Sequence, residues 1–70
     1  MENASEVAAA ASSADPKIGL RAVVALHRLA DALEVLQVDN ARRRGWSWQE
    51  IAGALGVSKQ AVHKKHAGRQ

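Results

Sequence analysis

The chain has 70 residues, a net charge of +3, no cysteine, and two tryptophans as its only aromatic residues. This length allows one small domain with a thin core, while the lack of cysteine excludes disulfides and a cysteine-based zinc site. No apolar run approaches the roughly 20 residues of a membrane span, and no basic N-terminal segment precedes a long apolar one, so a cytoplasmic protein is expected.

Residues 1–14 are predicted to form a disordered tail. They are mostly alanine, serine and other small or polar residues, and they show no apolar periodicity. Although the run Ala8 to Ala11 favours a helix, the segment has almost nothing to bury, and burial is what offsets the entropy lost on ordering a chain.

A single long helix is predicted over residues 15–44. Asp15 can cap its start, and Pro16 suits the first helical position, where its missing N–H is not needed. After Gly19 in the first turn, no strong helix breaker occurs before Gly45, which suits a C-terminal cap. Because strand signals are absent throughout, the predicted fold class is all-α: this long helix followed by two short ones.

Two apolar stripes lie on different faces of the long helix. Val35, Val38 and Ala41 are nearest in sequence to the following segment, so we assign them to the core of the chain itself. The other stripe has the 3-4-3 spacing of a coiled-coil seam, and unless the helix folds back on its own chain, only a second chain can cover it. We expect a homodimer through the long helix, with a heteromeric protein partner as the alternative. This leucine line, the predicted dimer interface, comprises Ala22, Leu26, Leu29, Leu33 and Leu36.

Residues 45–70 are predicted to form two short helices joined by a tight turn. Ser47 and Glu50 have the spacing of a capping box, in which each side chain bonds the backbone N–H of the other residue. Gly56 can end the first helix in the left-handed conformation, and Ser58 can cap the second.

The pattern Ile51-Ala52-x-x-Leu55-Gly56-Val57-Ser58-x-x-Ala61-Val62 resembles the helix-turn-helix of small bacterial transcription regulators. It is similar to region 4 of sigma factors and to tri-helical homeodomain-like motifs. Such motifs often place an apolar residue one turn after Val62, whereas this chain has Lys65-His66. Either the lysine stem or the imidazole must therefore cover the edge of the core.

The resemblance implies that the second short helix, about residues 59–67, enters the major groove of double-stranded DNA. Residues 39–70 carry seven basic and two acidic side chains, a net charge of +5, whereas residues 1–38 carry a net charge of −2. Glutamine can pair with adenine, lysine with guanine, and serine or arginine with phosphate. The predicted DNA-binding residues are Ser58, Lys59, Gln60, His63 and Lys64 on the motif, with Arg42, Arg43, Arg44 and Arg69 as phosphate contacts.

These observations predict a sequence-specific DNA-binding transcriptional regulator that acts as a dimer. The alternative is a protein-interaction module, in which the motif or the leucine line docks on a larger partner. His63 and His66 could share a metal ion, but no further ligands complete a zinc set. The chain has no glycine-rich phosphate loop and no plausible catalytic triad, so we expect no enzymatic activity, metal, cofactor, membrane partner or small-molecule ligand.

Overall fold

The computed structural model describes residues 3–69, with side chains described for residues 3–68. Its helices are α1 (Ala4–Ala11), α2 (Pro16–Arg43), α3 (Trp48–Leu55) and α4 (Lys59–His66), and a 3-10 turn follows at Ala67–Arg69. The predicted all-α class, with a long helix followed by shorter ones, is confirmed. No helix in the described range is both long and apolar enough to cross a membrane.

Two compact units divide the chain, Met1–Leu33 and Glu34–Gln70. The boundary between them lies within α2, so the N-terminal part of this helix belongs to the first unit and its C-terminal part to the second. The second unit therefore contains the last turns of α2 together with the whole of α3 and α4.

Helix α1 occupies most of the segment for which the sequence predicts a disordered tail. The side-chain oxygen of Asn3 accepts a hydrogen bond of 2.8 Å from the backbone N–H of Glu6, which caps the helix. The body of α1 is rich in alanine, the residue with the highest helix propensity, and Val7 is only 8% exposed. Capping and the burial of Val7 thus correct the expectation for this segment, while Met1 and Glu2 lie outside the described residues.

The start of α2 follows the predicted signal. The carboxylate of Asp15 accepts a hydrogen bond of 3.0 Å from the backbone N–H of Lys17, and the helix begins at Pro16. Gly19 is buried here, where a Cβ atom would lie 3.5 Å from the carbonyl oxygen of Ala11. The first turn of α2 is therefore in close contact with the end of α1.

The core of the second unit joins α2 to α3 and α4. Its fully buried residues are each 2–3% exposed, and Ala41 packs against them from α2. Complete burial of a valine or isoleucine side chain contributes about 1.5–3 kcal/mol. The predicted contact between the Val35-Val38-Ala41 stripe and the following helices is confirmed for Val38 and Ala41. The buried core residues are Val38, Ile51, Ala52 and Val62.

The predicted capping box of α3 and the predicted serine cap of α4 are both present. The hydroxyl of Ser47 accepts from the N–H of Glu50 at 3.1 Å, and the Glu50 carboxylate accepts from the N–H of Ser47 at 3.0 Å. The hydrogen bond from the backbone N–H of Ser47 to the carboxylate lowers the pKa of Glu50, and a smaller contribution comes from the Ser47 hydroxyl donating to the same carboxylate. The hydroxyl of Ser58 accepts from the N–H of Ala61 at 3.1 Å and begins α4.

Left-handed glycines end α2 and α3. Gly45 has a φ of 86° and Gly56 a φ of 73°. After α3, the N–H of Val57 bonds the carbonyl of Ala52 at 3.1 Å and the N–H of Gly56 bonds that of Gly53 at 3.3 Å. This pair of bonds is the Schellman motif. It fixes the sharp turn that directs the chain from α3 into α4.

The backbone conformations of Gly53 and Gly56 predict opposite effects of substitution by alanine. A Cβ atom at either Gly53 or Gly56 would meet nothing within 4 Å, so the two sites differ in backbone conformation and not in space. We expect Gly56→Ala to destabilise the fold by about 1–2 kcal/mol because of its left-handed φ. Gly53→Ala, inside α3, should stabilise it by about 0.5–1 kcal/mol. Thermal unfolding monitored by circular dichroism measures both changes in stability. Equal shifts of the melting temperature for the two variants would contradict the role of Gly56.

Candidate functional site

The candidate site is the outer face of α4, formed by Gln60, His63 and Lys64. All three side chains are exposed, as is Lys59 at the start of the helix, whereas Val62 is 2% exposed. Residues three and four apart share one face of a helix, so the outer face is continuous. Four of the predicted base-contacting positions are thus brought together on the exposed side of one helix.

Ser58 stands at the N-terminus of this helix. Its hydroxyl oxygen accepts from the backbone of Ala61, and its carbonyl accepts from the N–H of Val62 at 3.2 Å. A capping hydroxyl still carries a proton that can be donated to a phosphate oxygen. The structure therefore gives Ser58 a structural role that is compatible with the predicted phosphate contact.

The opposite side of α4 ends in a buried histidine. His66 is 1% exposed, and its Nε2 lies 2.7 Å from Oε2 of Glu34. Lys65 Nζ lies 3.0 Å from the same oxygen, with a side chain that is 53% exposed. The imidazole, not the lysine stem, therefore covers the edge of the core at the end of α4. Hydrogen bonds from Lys65 and, to a smaller extent, His66 lower the pKa of Glu34.

Glu34 is a residue that the sequence analysis missed. It lies one helical turn before Val38 on α2, and therefore on the face that packs against the core. An acidic residue in line with an apolar stripe requires a partner when that face is buried. The place of Glu34 in line with this apolar stripe is the sequence signal that could have identified it. Across the residues that the structure describes, no group of three or more histidine and acidic side chains is placed to hold a metal ion.

Arg42, Trp48 and His63 form a contiguous stack. The guanidinium carbon of Arg42 lies 4.6 Å from the centroid of the Trp48 ring, and its Nη1 donates to the carbonyl of Trp46 at 2.8 Å. The Trp48 and His63 ring centroids are 5.4 Å apart with an interplanar angle of 84°, an edge-to-face pair. The phosphate contact of Arg42 stays a prediction, and the structure shows that its guanidinium is also engaged within the chain.

The remaining arginines differ from one another. Arg44 Nε donates to the side-chain oxygen of Asn40 at 3.3 Å on the same helix. Arg43 is exposed at the last residue of α2. The side chain of Arg69 lies outside the described residues. Among the predicted phosphate contacts with described side chains, Arg43 is therefore the best candidate for a purely electrostatic role.

Most of the leucine line is exposed. Leu29, Leu33 and Leu36 are 38%, 52% and 56% exposed. Ala22, however, is only 7% exposed and lines a depression together with Val7 of α1. Because the sequence does not predict helix α1, it does not predict the burial of Ala22 beside that helix either. We therefore remove Ala22 from the predicted dimer interface. The leucines of that interface stay a prediction.

A second apolar surface lies on α3 and its flanking turns. Trp46, Leu55 and Val57 are between 40% and 49% exposed. The first two line a cavity of about 220 Å³, whose floor includes Val38 and Ile51 of the core. This surface was not predicted, and it could receive an apolar side chain of another protein.

The Glu34 contacts predict an acid-sensitive contribution to stability. Because the pKa of Glu34 is lowered in the folded chain, its contribution is complete above the unfolded value, about 4.3, and disappears as the pH falls through the folded value. We expect Glu34→Gln to cost about 1–2 kcal/mol at pH 7 and to remove this acid dependence. Lys65→Met should cost less than about 1 kcal/mol because Lys65 is exposed. Denaturant unfolding at several pH values tests this; an acid dependence unchanged in Glu34→Gln would refute it.

Comparison with known proteins gives relatives but no family. No family model matches the chain, and no solved structure matches it. Three curated proteins, one from Mycobacterium bovis and two from strains of Mycobacterium tuberculosis, are each 46% identical over 44 residues, which is 63% of this chain. The match spans 18% of the length of each relative. All three carry the description "uncharacterized protein", so the similarity extends to mycobacterial proteins without assigning a function.

Proposed function

We propose that this protein is a sequence-specific DNA-binding regulator of transcription, which acts as a dimer and inserts α4 into the major groove. The observation that carries the proposal is the pairing of a left-handed turn at Gly56 with an α4 that is buried on one side and polar on the other. This arrangement resembles the helix-turn-helix, in which the second helix presents its polar face to base edges.

The chemistry of the outer face supports readout of bases. Gln60 has a donor and an acceptor that can pair bidentately with adenine, and Lys64 can donate to guanine. Both are exposed on α4. Lys59, in the first turn of the helix, would contact either a base or the backbone of the DNA.

Charge supports the proposal independently. The basic side chains are concentrated in residues 39–70, where the net charge is +5. Lysine and arginine that neutralise phosphates release counterions, which gives DNA binding its affinity and its dependence on salt. Such a regulator would act in the cytoplasm of a bacterium, and it requires no metal, cofactor, small-molecule ligand or catalytic step.

Dimerisation through the leucine line is part of the proposal. The exposed Leu29, Leu33 and Leu36 have the spacing of a coiled-coil seam. Two motifs related by a twofold axis would bind half-sites about one turn of DNA apart, so the operator should be a palindrome.

A protein-interaction module is the second candidate function. The observation that favours it is the apolar surface of Trp46, Leu55 and Val57, because exposed apolar surface rimmed by polar residues marks interaction sites. In that case the basic face of α4 would contribute only nonspecific affinity for DNA.

The first test of the proposal separates base readout from general attraction to DNA. Gln60→Ala should lose about 1–3 kcal/mol of affinity for the preferred duplex and little for a scrambled one. Arg43→Ala, the matched charge variant, should weaken both complexes alike and reduce the salt slope by about one. The measurement is fluorescence anisotropy on both duplexes over a salt series.

Two outcomes would favour the second candidate. One is the absence of a preferred sequence in selection from random duplexes. The other is an equal proportional loss on both duplexes for Gln60→Ala and Arg43→Ala. Either result would leave α4 as a charged surface and not as a reading helix.

The second test concerns the dimer. Leu29→Glu and Leu33→Glu should each dissociate it, because each places a charge in an apolar seam. Leu20→Glu is the matched control, since Leu20 is also on α2 and 66% exposed but lies off the leucine line. Sedimentation velocity reports the mass of each variant. A wild-type mass for both seam variants would show that the interface lies elsewhere.

A further inference from the structure

We propose that His63 is a specificity-determining contact to one base pair, and that Arg42 and Trp48 are the positioning residues that hold its imidazole for that contact. The inference deepens the proposed function and rests on it. It assigns to Arg42 and Trp48 a role in DNA recognition that involves no direct contact with DNA.

Trp48 connects the hydrophobic core to the outer face of α4. It packs against the core cluster of the second unit from the first turn of α3. Its ring forms the edge-to-face pair with His63 at a centroid distance of 5.4 Å. Because the core side chains are closely packed, Trp48 is held in place, and it in turn restricts the orientation of the His63 ring.

Arg42 is the other partner of Trp48 in the stack. Its guanidinium lies over the indole at 4.6 Å, an attractive cation–π distance. The hydrogen bond from Nη1 to the carbonyl of Trp46 fixes the guanidinium at a second point. A lysine at this position would retain the charge, but it would lose the planar group that stacks and bonds at the same time.

An oriented imidazole suits the reading of a base. His63 is exposed on the same face as Gln60 and Lys64, and an imidazole N–H can donate to the N7 acceptor of a purine in the major groove. A long flexible side chain loses conformational freedom when it forms such a contact, whereas a ring that is already oriented loses less. The stack therefore favours direct base readout by His63 over a loose contact with phosphate.

The experiment begins with the duplex that the wild-type protein enriches from a random-sequence library. Affinities are then measured for that duplex, for each single base-pair variant and for a scrambled duplex. His63→Ala should abolish discrimination at one base pair, a loss of about fivefold or more, and should lower affinity for the scrambled duplex by less than that factor. Trp48→Leu should reduce discrimination at that same base pair, by about threefold to tenfold, while Trp48→Phe retains most of it.

Two matched variants separate positioning from charge and from general stability. Arg42→Lys preserves the positive charge, so we expect it to weaken discrimination at the His63 base pair more than it weakens affinity for the scrambled duplex. Trp46→Leu changes the other tryptophan, which is outside the stack, and should leave base-pair preferences intact. Should Trp48→Leu fail to fold by circular dichroism, Arg42→Lys and His63→Ala together decide the question.

The measurements distinguish failure of the regulator proposal from failure of the inference about His63. If no duplex is enriched, the regulator proposal and this inference both fall. If a duplex is enriched but His63→Ala keeps every base-pair preference, only this inference is overturned. It is also overturned if Arg42→Lys leaves all preferences unchanged, or if Trp48→Leu lowers affinity evenly at all positions, because positioning of His63 requires a loss confined to its own base pair.

Discussion

The packing of Val38 on α3 and α4 is the contact on which the second unit depends. Val38, Ile51, Ala52 and Val62 are the buried residues of its core, and no disulfide or metal ligand set reinforces them in the described chain. α3 and α4 can meet over so few side chains only because the left-handed turn at Gly56 directs one helix across the other. The exposed face of α4 is thus a consequence of what its buried face packs against.

A core of this size does not reach the end of α4, and polar contacts complete it. His66 is buried as fully as the valines, but it is paired with Glu34 of α2, which also receives Lys65. The lowered pKa of Glu34 indicates that the carboxylate form is the one these contacts favour. A hydrogen bond to a carboxylate has a directional requirement that an apolar contact lacks, so this arrangement defines the position of the last turn of α4 as well as its stability.

Local chemistry explains which features were predictable from the sequence. The capping box at Ser47, the turn at Gly56 and the continuous α2 depend on residues within a few positions of each other, and all were predicted correctly. Contacts between distant residues were missed: the burial of Val7 that accompanies α1, and the pairing of Glu34 with α4. Arg42 was assigned to phosphate from its charge alone, since no sequence pattern reveals that a tryptophan six residues later lies under its guanidinium.

The balance between buried and exposed apolar side chains has a further consequence. Among the described residues, six apolar side chains are buried, while nine large ones, including Leu33, Leu36 and Leu55, are exposed. A protein of this kind gains stability from any partner that binds only its folded form. The proposed association through the leucine line would therefore add to folding stability, and the proposed DNA binding would add further to it. Folding, assembly and recognition would then be coupled equilibria, so that a substitution in the seam, far from α4 in sequence, would also lower the apparent affinity for DNA.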